Sequence, residues 1–289
     1  MEDLITPIKP LLDHFIREAL KEDVGDGDHS SLACIPENKM GIANLLIKDD
    51  GVLAGMAVGE YIFHFIDPEI KFTAFKKDGD LVKKGETAFT IEGRIQTILK
   101  LERLVLNVMQ RMSGIATRTH EMVNLIKDLH TKLLDTRKTT PGIRFLEKMA
   151  VKIGGGYNHR FGLYDMIMLK ENHVDGAGGI KKAIESTHIY LKDKGLNLKI
   201  EIETRNLDEV KEVLETGGVD RIMLDNFRIP ELKEALLLIK GKYETEASGG
   251  ITEYILRDFA LTGVDYISSS AMTHSVKSMD LSLKLGVRV

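Results

Sequence analysis

Beyond Ser113 the chain settles into an alternation of short apolar strands and helices, and this alternation narrows the possible folds more than any other feature. Strands are expected around residues 132–134, 166–169, 199–202, 221–224, 243–247 and 265–268, with helices between most of them. The last four recur about every 22 residues, the length of one compact strand-plus-helix unit. Such a chain builds a parallel sheet that either curls into a barrel or stays open and doubly wound. The strand ends favour the barrel. Nearly every strand stops in polar chemistry: Asp135-Thr136-Arg137-Lys138, Lys170, Glu203, Asp225, Ser248-Gly249-Gly250 and Ser268-Ser269-Ser270. A TIM-like barrel collects its working groups at the C-terminal ends of many strands, whereas an open sheet concentrates them at one switch point.

Side-chain alternation sharpens this. In 199–203, KIEIE, the isoleucines share one face; if they pack on outer helices, Glu201 and Glu203 point into the barrel. By the same rule Lys170 shares a face with Met168, and Asp225 with Met223, so charges of both signs converge on one mouth. The alternative is an edge strand with its charges in water; the flanking Met and Ile argue against it. Ser248-Gly249-Gly250 precedes an expected helix at 252–261, where backbone N–H groups could receive a phosphate, although a tight turn explains the glycines equally well. Gly154-Gly155-Gly156 follows a helix and lacks the spacing of a dinucleotide fingerprint. The histidines are too scattered for a metal trio, with His159 and His173 the two of interest.

Residues 135–173 hold seven Lys/Arg against four Asp/Glu, a local excess of three in a chain whose net charge is −4. A basic island in an acidic protein suits a small, multiply anionic ligand better than nucleic acid. The N-terminal part reads as α+β. A helix at 8–22 with an apolar stripe stops at the turn 25–30, and strands near 43–47, 72–75 and 88–91 surround a helical insert at 59–65. Residues 77–86, KDGDLVKKGE, resemble a carrier-domain hairpin but lack its modification tip, and so read as a polar turn. A helix at 100–113 carries Arg103 opposite its apolar stripe, facing solvent or another subunit. The single Cys34 fits a reducing compartment. The acidic opening lacks the basic start of a signal peptide, and no run approaches the roughly 18 apolar residues of a membrane span. A cytoplasmic protein without membrane or nucleic-acid partners is expected.

Several motifs together resemble the quinolinate phosphoribosyltransferase family, the decarboxylating enzymes of NAD biosynthesis. They are Glu102-Arg103 with Asn107 and Ser113-Gly114-Ile115-Ala116, DTRKTTPG at 135–142, the long block at 147–173, EIE at 201–203, LDN at 224–226, SGGI at 248–251 and THSVK at 273–277. The resemblance implies an α+β N-terminal domain (1–112, with a tail at 275–289 packing back on it) and an open, seven-stranded TIM-like α/β barrel (113–274). One strand beyond the six above is then needed, with Tyr157 a candidate. It also implies a homodimer, open to further assembly, whose active sites borrow from the other subunit's N-terminal domain.

By motif position, the resemblance assigns the quinolinate carboxylates to Arg137, His159, Arg160 and the partner's Arg103. Lys138 and Lys170 neutralise the pyrophosphate side of phosphoribosyl pyrophosphate. Glu203 and Asp225 serve the ribose hydroxyls and a Mg²⁺ carried by substrate oxygens, with no metal bound directly in the free enzyme. Lys138, Lys170, Glu203 and Asp225 are thus the expected catalytic set. Ser248, Gly249, Gly250, Ser269, Ser270 and Ala271 form the phosphate cup, where Ser270 replaces the glycine usual in the family. Arg137, His159 and Arg160 together favour a dicarboxylate over the substrate of nicotinate phosphoribosyltransferases or of a related family linked to molybdenum transport. A ligand sensor on the same scaffold would not need Lys138, Lys170, Glu203 and Asp225.

Overall fold

The computed structural model describes residues 4–286. From the N-terminus the elements are α1 (Lys9–Asp23), α2 (His29–Cys34), β1 (Met40–Ile47), β2 (Gly51–Val52), α3 (Met56–Ile66), β3 (Lys71–Ala74), β4 (Leu81–Val82), β5 (Thr87–Arg94) and α4 (Ile95–Asn124). There follow β6 (Lys132–Leu134), α5 (Arg144–Ile153), β7 (Ile167–Leu169), α6 (Glu171–Ala177), α7 (Ile180–Lys194), β8 (Ile200–Thr204) and α8 (Leu207–Thr216). The last elements are β9 (Arg221–Asp225), α9 (Ile229–Ile239), β10 (Glu244–Ser248), α10 (Glu253–Ala260), β11 (Tyr266–Ser268) and β12 (Leu281–Gly286).

Contacts divide the chain into two compact units. The first holds residues up to His120, together with Thr139–Gly155 and the stretch from Met272 onward; the second holds Glu121–Lys138 and Gly156–Ala271. The expected boundary at 112–113 falls inside α4, and both Thr139–Gly155 and the stretch from Met272 onward group with the first unit. The physical reason is α5: Glu147 on it is fully buried and accepts from Arg111 on α4 at 2.9–3.0 Å. Arg111 also reaches the Thr273 carbonyl at 2.6 Å, so one guanidinium gathers three distant stretches of chain.

In the first unit an antiparallel sheet runs β12-β1-β5-β3, and β2 pairs with β4. Alternation along β1 sends Ala43, Leu45 and Ile47 into a core shared with Ile62, Phe63, Phe89 and Ile91, all fully buried. Burial of each such Ile, Leu or Phe contributes roughly 1.5–3 kcal/mol. Two local features depart from expectation. The turn at 25–30 leads straight into α2, because the Asp28 carboxylate caps the Ser31 N–H at 3.1 Å. The polar stretch 77–86 does more than turn: Asp78 accepts the N–H groups of Gly55, Met56 and Ala57 at 2.6–3.0 Å and so caps α3 from a distance. Gly154 is required by packing, since a Cβ there would lie 2.4 Å from the Ala116 carbonyl oxygen.

The second unit is a parallel sheet of six strands in the order β6-β11-β10-β9-β8-β7, all six where the alternation placed them. Tyr157 adds a single parallel rung beside β6, donating to the Leu133 carbonyl at 2.9 Å and accepting from Asp135 N–H at 3.0 Å. Among the described residues no ladder joins β7 to this rung, so the barrel is open. Every residue of β8 is buried, which rules out an edge strand with its charges in water. No helix among the described residues is long and apolar enough to cross a membrane.

Candidate active site

The site begins where β6 ends. Asp135 is fully buried and accepts the His159 N–H at 2.8 Å and the Asn158 Nδ2 at 2.5 Å, which hooks the segment after Tyr157 onto the strand. Its neighbours Arg137 and Lys138 are exposed, with the Lys138 N–H turned back onto Thr136 Oγ1 at 3.0 Å. Arg160 follows in the hooked segment and donates through Nη1 to the Met166 carbonyl at 3.2 Å. Its Nε is buried and finds no acceptor among the described residues. Burial and the nearby Arg137 charge both press the Arg160 pKa downward, so two guanidiniums crowd one place in the absence of an anion.

Beneath them His159 reaches into the barrel. Its Nε2 lies 3.0 Å from Glu201 Oε2 on β8 and 3.4 Å from Glu246 Oε2 on β10. Glu246 in turn meets Arg221 Nη1 at 3.0 Å, and both carboxylates are fully buried. Burial opposes a charged His159 ring, while the carboxylates of Glu201 and Glu246 beside Nε2 pull its pKa upward. Against a second ring proton stands the Arg160 N–H, which donates to His159 Nδ1 at 2.6 Å and needs that lone pair. The ring is therefore read as the Nε2–H tautomer. The proton attracted to the cluster belongs to the carboxylate pair, where burial and Glu246 raise Glu201 to about 7. With Arg221 this leaves the cluster neutral, the arrangement a buried site tolerates best.

At the mouth, Lys170 Nζ pairs with Glu203 Oε2 at 2.8 Å across adjacent strands. Glu203 stands in register with Met223, and Asp225 lies two residues further along β9, where it accepts Asn226 Nδ2 at 2.6 Å. Gly249, with φ +101°, has no room for a side chain, because a Cβ would sit 2.2 Å from Asn226 Oδ1. Gly250, with φ +62°, faces open space. Ser269 is buried and structural: its N–H donates to the Leu134 carbonyl at 3.0 Å, and its hydroxyl to the Ile251 carbonyl at 2.8 Å. Ser248, Ser270 and Ala271 are half-buried, and the Ala271 N–H donates back to Ser269 Oγ at 3.3 Å.

Arg103 belongs to the first unit, exposed on a groove that also takes in Phe15, Asn107, Arg111 and Glu147. His173 acts locally, its Nδ1 accepting the Lys170 N–H at 3.0 Å and pinning the start of α6.

His159, Glu201 and Glu246 form a donor set whose ligating atoms lie within 4.8 Å of one another, the only such set among the described residues. Sequence reasoning missed it because the three lie far apart in the chain and only the barrel's strand order unites them. The alternation that placed Glu201 inside also runs through Glu244-Thr245-Glu246-Ala247, where three consecutive polar residues mask it.

Residues 115–284 match the family described as quinolinate phosphoribosyl transferase, C-terminal domain, and residues 28–113 match its N-terminal domain. A Nicotiana glauca protein named quinolinate phosphoribosyltransferase (decarboxylating) 2, mitochondrial, is 46% identical over 92% of this chain and 80% of its own. The chloroplastic nicotinate-nucleotide pyrophosphorylase (carboxylating) of Arabidopsis thaliana is 46% identical over 93% and 81%. Among solved structures, that of NadC from Streptococcus pyogenes superimposes with a TM-score of 0.92 at 38% identity, covering 100% of both chains.

Proposed function

The chain belongs to the quinolinate phosphoribosyltransferase family, and from that premise we propose how its barrel works. It transfers the phosphoribosyl group of phosphoribosyl pyrophosphate to quinolinate with decarboxylation, yielding nicotinate mononucleotide, pyrophosphate and CO₂. The observation that carries the site assignment is the Arg160 guanidinium: half-buried, repelled by Arg137, and holding a buried Nε donor without an acceptor. A dicarboxylate relieves all three, and planar guanidinium forks suit it.

In this reading Arg137, His159 and Arg160, with Arg103 of the partner subunit, hold the two carboxylates. The pyridine nitrogen attacks the anomeric carbon as the bond to pyrophosphate breaks. Lys138 and Lys170 balance the charge that accumulates on the leaving group, and Glu203 orients Lys170 through their 2.8 Å pair. Positive charge developing on the ribose faces Glu203 and Asp225. Once the ring nitrogen is quaternised, the adjacent carboxylate leaves as CO₂, the electron pair remains on the ring carbon beside the cationic nitrogen, and a proton replaces it. Gly250, open to its surroundings, offers backbone for the ribose phosphate.

Glu203 and Asp225 present the oxygen donors that Mg²⁺ prefers, and when bound with substrate the ion would screen the pyrophosphate charge. We place the enzyme in a homodimer with shared sites, open to further assembly, and in the cytoplasm. The names of plant relatives are organellar, so subcellular fractionation tests the location. Incubation with quinolinate, phosphoribosyl pyrophosphate and Mg²⁺ should release CO₂ and the mononucleotide in equal amounts; absence of both would reject the reading.

A further inference from the structure

Glu201, Glu246 and Arg221 touch no substrate in the scheme above, yet they gather two fully buried carboxylates and a guanidinium around His159 inside the barrel. Two carboxylates on separate strands, Glu201 and Glu246, converge on one ring nitrogen at 3.0 and 3.4 Å. A divalent metal could use the same three groups, but Glu246 Oε2 already holds Arg221 at 3.0 Å, and a second cation beside that guanidinium would leave buried positive charge uncompensated. What the geometry does achieve is orientation. His159 is held at its backbone N–H by Asp135, its Nε2 lies within ion-pair distance of both carboxylates, and its Nδ1 accepts the Arg160 N–H at 2.6 Å.

We propose that Glu201 and Glu246 are positioning residues for the dicarboxylate site: they fix the proton of His159 on Nε2, make Nδ1 the acceptor for the Arg160 N–H, and so set the aim of the Arg160 guanidinium. The inference rests on the function given above and extends it to residues that never meet substrate. A carboxylate pair suits this role because, with one proton shared between its two members, it still turns an ionised oxygen toward Nε2, which accepts the ring proton and favours that tautomer. Its effect should fall on quinolinate and leave phosphoribosyl pyrophosphate untouched, since Lys170 and Glu203 form a separate pair.

The test uses ¹⁵N-labelled full-length protein, with His159 assigned by difference against His159→Asn. Long-range ¹H–¹⁵N spectra of wild type should show Nε2 protonated and Nδ1 bare. In Glu201→Gln and Glu246→Gln that tautomer should lose its dominance, and quinolinate should bind about tenfold more weakly by calorimetry, the size of one charge-assisted hydrogen bond. Affinity for phosphoribosyl pyrophosphate should hold. A wild-type ring protonated at Nδ1 overturns the inference, and that measurement needs no variant to fold. Unchanged quinolinate affinity in both variants, with only thermal stability lost, overturns it too. So does one equivalent of Zn²⁺ or Mn²⁺ that shifts the wild-type His159 signals but not those of Glu246→Gln. Wild type that binds no quinolinate would instead reject the functional reading.

Discussion

The side chains at the mouth differ in what they can lose. Arg160 spends one Nη on the Met166 carbonyl and has a buried Nε with no acceptor among the described residues, so on the proposed function its removal takes away a desolvated charge that quinolinate would complete. Arg160→Ala and Arg137→Ala should each weaken quinolinate binding by about 2–5 kcal/mol, with a much smaller change for phosphoribosyl pyrophosphate. Calorimetry with each substrate checks this; equal losses for both would mean the arginines serve the other ligand. Arg160→Lys should recover little, because an ammonium cannot supply the planar fork. A separate expectation concerns metal. The oxygen-donor pair Glu203 and Asp225 is half engaged by Lys170, so substrate-free enzyme should carry little Mg²⁺ by elemental analysis, with uptake appearing once phosphoribosyl pyrophosphate is added.

At the scale of elements, close approaches decide what each position tolerates. Gly114 sits in the middle of α4, and a Cβ there would come within 2.4 Å of the Lys277 carbonyl oxygen and 3.1 Å of Ser278 Cα. Gly114→Ala, usually favourable in a helix, should here cost about 1–3 kcal/mol, visible in urea unfolding, because the obstacle is backbone. The end of α10 is tied by Arg257, which reaches the Leu125 carbonyl and grips both Asp128 oxygens at 2.7–2.8 Å. The Arg257 hydrogen bond lowers the Asp128 pKa from 3.8 to about 2. A depressed folded pKa gives stability that is present above the unfolded value and lost as pH falls through the folded one. Asp128→Asn should therefore melt slightly below wild type at neutral pH, with the two melting temperatures converging as pH approaches about 2. The difference will be small, since the pair is solvent-screened. The strands were legible because apolar runs with period two survive in any context. Tyr157 was harder, since a one-residue rung has no period, and Asp78 was missed because its capping partners lie more than twenty residues away. Glu246 was within reach of the rule used on Glu201, but Glu244-Thr245-Glu246 has too few apolar neighbours to read as buried.

For the whole molecule, the sharpest question is whether subunits share sites. If Arg103 completes a neighbour's site while Lys138 acts in its own barrel, Arg103→Ala and Lys138→Ala should each be inactive and folded. Unfolded and refolded together, they should recover about a quarter of wild-type activity, since half the random dimers are mixed and each mixed dimer keeps one intact site. Recovery near zero, with mixed dimers confirmed by mass spectrometry, would place Arg103 outside the partner's site. The order in which the chain is made bears on a different matter. The parallel sheet draws only on residues before 272, but β1 lies between β5 and β12, and β12 is Leu281–Gly286. A ribosome therefore finishes every strand of the barrel while β1 still has an open edge, with Ala43, Leu45 and Ile47 alternating along it. Until β12 is made, that edge is a template for any extended chain nearby and is open to pairing with the wrong strand.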